Sequence, residues 1–168
     1  MKKLLYLLSA TLLLFACGDD DTASPNSAVL DAFHARFPDA RSIVWSSNGG
    51  YFVADFYLVD AGSTTEGEAW FTPIGEWYMT QLEMPYTSLP VAVMAAFEAG
   101  DYAAWGVDEV VKMEREDLPL EYIIVAEGFL DGVESDAYLF YDVSGQLLRS
   151  EINPDYEWWS CYERPTCR

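Results

Sequence analysis

The stretch Tyr51-Phe52-Val53-Ala54-Asp55-Phe56-Tyr57-Leu58-Val59 decides the fold. Side chains along a β-strand project to alternate faces. Phe52, Ala54, Phe56 and Leu58 therefore share one side, and Tyr51, Val53, Asp55 and Tyr57 share the other. The first set is wholly apolar and needs a cover, whereas the second carries a charge and two phenols. One dry side and one wetter side mark a strand of an antiparallel sheet backed on one face only. Asn48-Gly49-Gly50, just before it, is a strong hairpin signal that returns the chain from a short strand at residues 43–45.

Upstream, Val29, Leu30, Phe33 and Phe37 recur at helical spacing. Ser24 or Ser27 can cap this helix, and Pro38 ends it because the residue before proline is pushed out of the helical region. Downstream, a strand over 66–72 alternates Ala69 and Phe71 with Glu68, Trp70 and Thr72. Pro73-Ile74-Gly75 then turns into a strand over 76–82. The pattern restarts at Ser88-Leu89-Pro90, which opens a helix presenting Leu89, Val93, Met94 and Phe97 and stopped at Gly100. Strands follow over 107–114, 121–129, 135–142 and 146–152. Ala28 to Phe33 matches Ala92 to Phe97 at an offset of 64, and Gly75-Glu76-Trp77 matches Gly145-Gln146-Leu147 at an offset of 70. A slowly growing offset is what loop insertions produce in a duplicated unit, so the sequence reads as a tandem repeat over 27–86 and 87–152.

The 168 residues, 51% hydrophobic and 22% charged, suffice for a sizeable core. Nine Lys and Arg stand against 28 Asp and Glu, a formal charge of -19 with pI near 4.1. A phosphate backbone would be repelled, which excludes nucleic acid as a partner. One His and three Cys are too few for a His- or Cys-based zinc site, and no metal or cofactor is expected. A nucleophile–histidine site would have to use His34, which no serine or cysteine motif accompanies, so His34 reads as a helix-surface residue. Glu114-Arg115-Glu116-Asp117 reads as a charged turn. Asp131 to Asp136 holds scattered oxygen ligands without EF-hand spacing, leaving only a minor calcium reading. Catalytic residues are not expected.

At the start of the chain, Met1-Lys2-Lys3 followed by an apolar run to Phe15 has the layout of a secretory signal, too short to span a bilayer. Leu14-Phe15-Ala16-Cys17 resembles the lipobox of bacterial lipoproteins. That resemblance implies removal of residues 1–16, lipidation of Cys17 and a membrane anchor, followed by an acidic tether over 17–26. Gly18-Asp19-Asp20-Asp21 resembles acidic surface-export signals, or else serves as a solvated tether. With Cys17 lipidated, Cys161 and Cys167 remain to pair in an aromatic tail over 153–168 that carries Tyr156, Trp158, Trp159 and Tyr162.

Ala28 to Phe33 with Phe37-Pro38-Asp39-Ala40, Val44-Trp45, Tyr51 to Phe56 and the returning Leu89-Pro90 with Ala92-Val93 resemble the PepSY-like, beta-lactamase-inhibitor-like family of exported bacterial proteins. The resemblance spans roughly 27–152. It implies an α+β fold in which a helical segment packs on a four-stranded antiparallel sheet, used twice to form a concave platform. Gly100-Asp101-Tyr102 departs from the Tyr/Phe-Pro that usually closes the second helix. By alternation the helix-free face displays Asp55, Tyr57, Glu68, Trp70, Asp136, Tyr138 and Phe140. Rings among carboxylates suit a basic protein or peptide segment, or stacking on sugars. The same rings could instead stabilise cross-strand neighbours or sit beneath the aromatic tail. The leading expectation is a non-enzymatic, lipid-anchored protein of the outer membrane or cell surface, with the periplasmic side as the alternative, that binds a protein or peptide. A carbohydrate-binding lipoprotein is second and a carboxylate hydrolase last.

Overall fold

The computed structural model describes residues 23–60 and 63–153. The leader, Cys17, most of the tether, and the tail with Cys161 and Cys167 lie outside the described residues. The elements run α1 (Ser27–Arg36), β1 (Ala40–Asn48), β2 (Tyr51–Asp60), β3 (Ser63–Phe71), β4 (Trp77–Glu83), a 3-10 turn (Tyr86–Ser88), α2 (Val91–Glu98), β5 (Gly106–Arg115), β6 (Leu118–Leu130), β7 (Val133–Asp142) and β8 (Leu147–Ile152). The two helices and eight strands fall where the periodicity of the sequence places them, to within about three residues at either end, whereas the 3-10 turn lies outside those expectations.

The architecture corrects the expected α+β tandem repeat of two four-stranded sheets. All eight strands form one antiparallel sheet in chain order, from β1 to β8, and the two helices are short, so the described protein is mostly β. The joint is the β4–β5 ladder, which pairs Met79 with Arg115 and continues through Glu83 opposite Val111. The physical reason is edge satisfaction. A four-stranded unit ending at β4 would expose a row of unpaired N–H and C=O groups, and β5 covers them.

Helix α1 begins at Asn26 rather than at either serine. Its Oδ1 accepts from the amides of Ala28 at 3.0 Å and Val29 at 3.2 Å, while its Nδ2 donates to the Pro73 carbonyl at 2.7 Å. A serine would have to accept and donate through a single oxygen, whereas the asparagine amide divides the two tasks between Oδ1 and Nδ2 and reaches further. Losing such a cap costs about 1 kcal/mol. The turn glycine Gly75 has φ +88°, and a Cβ there would come within 2.7 Å of the Ala28 carbonyl oxygen. Gly145, at φ +84°, stands in the same relation to Ala92 at 2.3 Å, so both helix starts are approached by bare backbone.

Each helix covers the same face of the sheet. Val29, Phe33 and Phe37 pack on Ala54, Phe56, Ala69 and Phe71. Val93 and Phe97 pack on Val110, Tyr122, Ile124, Ala126, Ala137 and Leu139. Phe33 lies 5.3 Å from the ring of Phe56 at 80°, the edge-to-face arrangement that aromatic quadrupoles favour. Phe56 needs space across the ladder, and its partner Gly67 provides it: a Cβ there would meet Phe56 Cζ at 2.8 Å. Arg36, in the last turn of α1, lies over Trp77 at 3.6 Å and bonds Glu114 on β5 at 3.1 Å. With Lys112 also at 2.6 Å, the Glu114 carboxyl is held below its ordinary range, first by the Lys112 hydrogen bond.

Candidate functional site: the helix-free face

Strand register assembles the opposite face. Asp55 on β2 stands opposite Glu68 on β3, which stands opposite Gln81 on β4, which stands opposite Met113 on β5. One row away, Tyr57 pairs with Glu66, and Glu83 pairs with Val111. These rows enclose a recess of about 240 Å³ lined by Asp55, Glu66, Glu68, Gln81, Glu83, Glu109 and Val111, with Gly67 in its floor. A second hollow of about 270 Å³ continues it past Glu66, Glu83 and Glu109 to Asp108, Thr64 and Thr65. Six acidic residues therefore line one continuous depression across β2 to β5, and among the described residues no Lys, Arg or His lines it.

Crowding shows in the titration of the recess. Burial, then the charge of Glu66, raises Asp55. The same two causes in the same order raise Glu83. Glu109 is raised by burial, then by Glu83, Asp108 and Glu66. Glu66 is thus an electrostatic cost to Asp55, Glu83 and Glu109, one that an incoming cation would relieve. Glu68 is held in place: its Oε1 accepts from Trp70 Nε1 at 2.6 Å and from Gln81 Nε2 at 3.3 Å.

Two apolar groups flank the recess. Val53, Trp70 and Met79 form one, edged by Tyr51 and Tyr78, whose rings stack at 4.7 Å. Val111, Met113, Ile123 and Phe140 form the other, with Tyr138 against it. Beside the second group, Arg115 and Glu121 form a buried ion pair at 2.7 Å, while Arg149 lies over Phe140 at 3.5 Å and bonds Glu151 at 3.3 Å.

The structure distributes the seven residues expected on this face unevenly. Asp55 and Glu68 line the recess, and Tyr57 stands at its edge, 38% exposed. Trp70 and Phe140 do project away from the helices, but they are 1% and 0% exposed, so neither is displayed to solvent. Tyr138 is half-buried, and its hydroxyl is raised first by burial and then by Asp136 and Glu109. Asp136 sits near the start of β7, where its amide and carbonyl both bond Asn153. Glu66, Glu83, Glu109 and Asp108 were missed. The signal was available only through register, since β4 and β5 must be paired before their acids fall beside Asp55. His34 is exposed on α1 in edge contact with Phe33, and no group of metal-ligating side chains occurs among the described residues.

The described residues thus form one antiparallel sheet backed by helices on one face, with an acidic recess on the other. The profile of the family described as beta-lactamase-inhibitor-like, PepSY-like matches residues 55–149, and the chain belongs to that family. It is similar to a BLIP-like protein from Bacteroides fragilis at 33% identity, covering 83% of this chain and 98% of that one with a TM-score of 0.71. A DUF2874 family protein from Bacteroides ovatus is 30% identical over 79% of this chain and 91% of its own, with a TM-score of 0.68. A protein of Bacteroides eggerthii described as periplasmic is 26% identical over 77% and 90%, with a TM-score of 0.67. No curated protein matches.

Proposed function

We propose that this is a non-enzymatic, exported protein that captures a basic segment of a partner protein in the recess between β2 and β5. The carrying observation is the run of carboxylates at Asp55, Glu66, Glu68, Glu83 and Glu109 in one open depression, with Asp55, Glu83 and Glu109 raised by burial and then by neighbouring acids, Glu66 among them each time. A Lys or Arg placed there offsets that repulsion and gains charge-assisted hydrogen bonds. Sugar stacking calls for a bare ring face, which buried Trp70 does not offer.

Export and anchoring through a lipidated Cys17 complete the reading, supported by the lipobox-like Leu14 to Cys17 and by the periplasmic description of the Bacteroides eggerthii relative. Cys17→Ser should move the protein from the membrane fraction to the soluble fraction, and unchanged partition would remove the anchor from the account. For the recess, immobilised protein is exposed to envelope extract beside a Glu66→Gln/Glu83→Gln/Glu109→Gln variant. A partner retained by the first, lost by the second and released by raised salt supports capture through the recess. Equal retention by both overturns it.

A further inference from the structure

The far end of the β6–β7 hairpin carries a ring that the fold leaves bare. Phe129 is 70% exposed, the most exposed aromatic side chain among the described residues, whereas Trp70 and Phe140 are buried. The β6–β7 ladder runs in continuous register, so Phe129 shares the helix-free side with Ile123, Val125 and Glu127. On the helix side, Gly128 lies against Trp105, where a Cβ would come within 2.3 Å of the indole, and this contact fixes the root of the hairpin. The tip turns at Asp131-Gly132, both in the left-handed region at φ +53° and +81°. Leu130 and Val133 pair across that turn and support it. Phe129 instead faces Glu134 across the ladder, so its ring buries little against the partner strand.

Elsewhere the molecule shows twice what a ring beside a carboxylate holds. Arg149 lies over Phe140 at 3.5 Å and bonds Glu151 at 3.3 Å, and Arg36 lies over Trp77 at 3.6 Å and bonds Glu114 at 3.1 Å. In each case a planar guanidinium stacks on the ring while its edge donates to the acid. Phe129 has the same surroundings: Glu134 stands opposite, Glu127 lies two residues before it, and Asp136 stands opposite Glu127. Like charges facing across a ladder destabilise it, and Glu127 is raised by Asp108, then by burial, Asp136 and Glu134. Asp108 also lines the hollow that continues the recess, so the two acidic groups adjoin. We propose that Phe129, with Glu127 and Glu134, is the seat for an arginine of the basic segment held in the recess. The proposal rests on that capture reading and adds to it a residue type and a spacing. Glu109 pairs with Val125, and Phe129 is four residues further along the same side of β6, about 14 Å from Glu109, which an extended segment covers in about four residues. A lysine there would bring the charge without the stacking plane.

The test titrates the full-length protein with two fluorescein-labelled peptides by anisotropy. Each carries a run of lysines, a Gly-Ser spacer and, four residues on from the run, either Arg or Lys. The arginine peptide should bind about fivefold tighter, and Phe129→Leu should make the two equal while leaving the lysine peptide's affinity unchanged. Glu83→Gln/Glu109→Gln should weaken both peptides. Equal binding of the two by the unaltered protein, with that weakening preserved, overturns the arginine seat and leaves the recess reading standing; no binding of either removes both. An arginine preference that survives Phe129→Leu also overturns the seat. So does Phe129-dependent binding to envelope polysaccharide or to phosphatidylglycerol vesicles without peptide, which would give the ring another occupant. Because Phe129 is exposed, the variant should keep its thermal midpoint. Should the midpoint fall, a photo-reactive residue next to the peptide arginine decides with the unaltered protein: adducts within 127–134 uphold the seat, and adducts elsewhere or none overturn it.

Discussion

The two faces of the sheet are built from the same eight strands and obey different rules. On the helix face, the buried apolar residues pack with a helix: Phe56 and Phe71 meet Phe33, and Leu139 and Ile124 lie in the cluster of Val93 and Phe97. On the other face, apolar groups, a buried ion pair and an acidic recess lie side by side. A face that only stabilises does not need Asp55, Glu66, Glu68, Glu83 and Glu109 in one depression, where Glu66 raises the cost of ionising Asp55, Glu83 and Glu109. The difference separates what holds the fold from what the fold presents.

That contrast can be broken most forcefully at Phe33. It is wholly buried and touches the rings of Phe37, Trp45, Phe56 and Phe71. Phe33→Ala should cost about 3–5 kcal/mol in chemical denaturation, and a loss below about 1 kcal/mol would show that α1 is not the cover of the first four strands. On the second face, Glu121→Leu leaves Arg115 buried without that partner and should cost about 3 kcal/mol. The double variant Arg115→Met/Glu121→Leu should recover much of this loss, because an apolar pair of similar volume removes the buried charge that had lost this counter-ion. Equal losses in single and double variants would mean that the pair is not desolvated as described.

The smallest effect has the opposite sign. Asp55, Glu83 and Glu109 are raised by burial and then by neighbouring acids, so the native state binds protons more readily than the unfolded chain. Their stabilising contribution is complete below the unfolded values, near about pH 4, and is lost as pH rises through the raised folded values. Glu83→Gln/Glu109→Gln should therefore raise the thermal midpoint at pH 7 and leave it nearly unchanged at pH 4. A lowered midpoint at pH 7 would mean that the recess acids are stabilised where they sit.

Alternation made one side of this molecule readable in advance. Phe52, Ala54, Phe56, Ala69 and Phe71 announce their face because period two needs only the local chain. Whether β4 pairs with β5 is a different kind of fact. An edge can be blunted, covered or paired, and the residues of β4 look the same in each case, so two sheets were expected where there is one. The recess is hidden for the same reason. Asp55 and Glu68 neighbour each other within the β2–β3 hairpin, but Glu83 and Glu109 join them only through the register of that unforeseen ladder. Trp70 and Phe140 show a further limit: alternation tells which face a side chain occupies, not whether that face is wet.

The most direct measurement on the recess uses two crosslinking positions in living cells. A photo-reactive residue replaces Tyr57, which is exposed and pairs with Glu66 at the edge of the recess, or His34, which is exposed on the helix side. The account predicts a discrete protein adduct from position 57, none of the same mass from position 34, and loss of the first adduct when Glu66→Gln and Glu83→Gln are added. The same adduct from both positions, or an adduct from 57 that survives neutralisation of the recess, would contradict it.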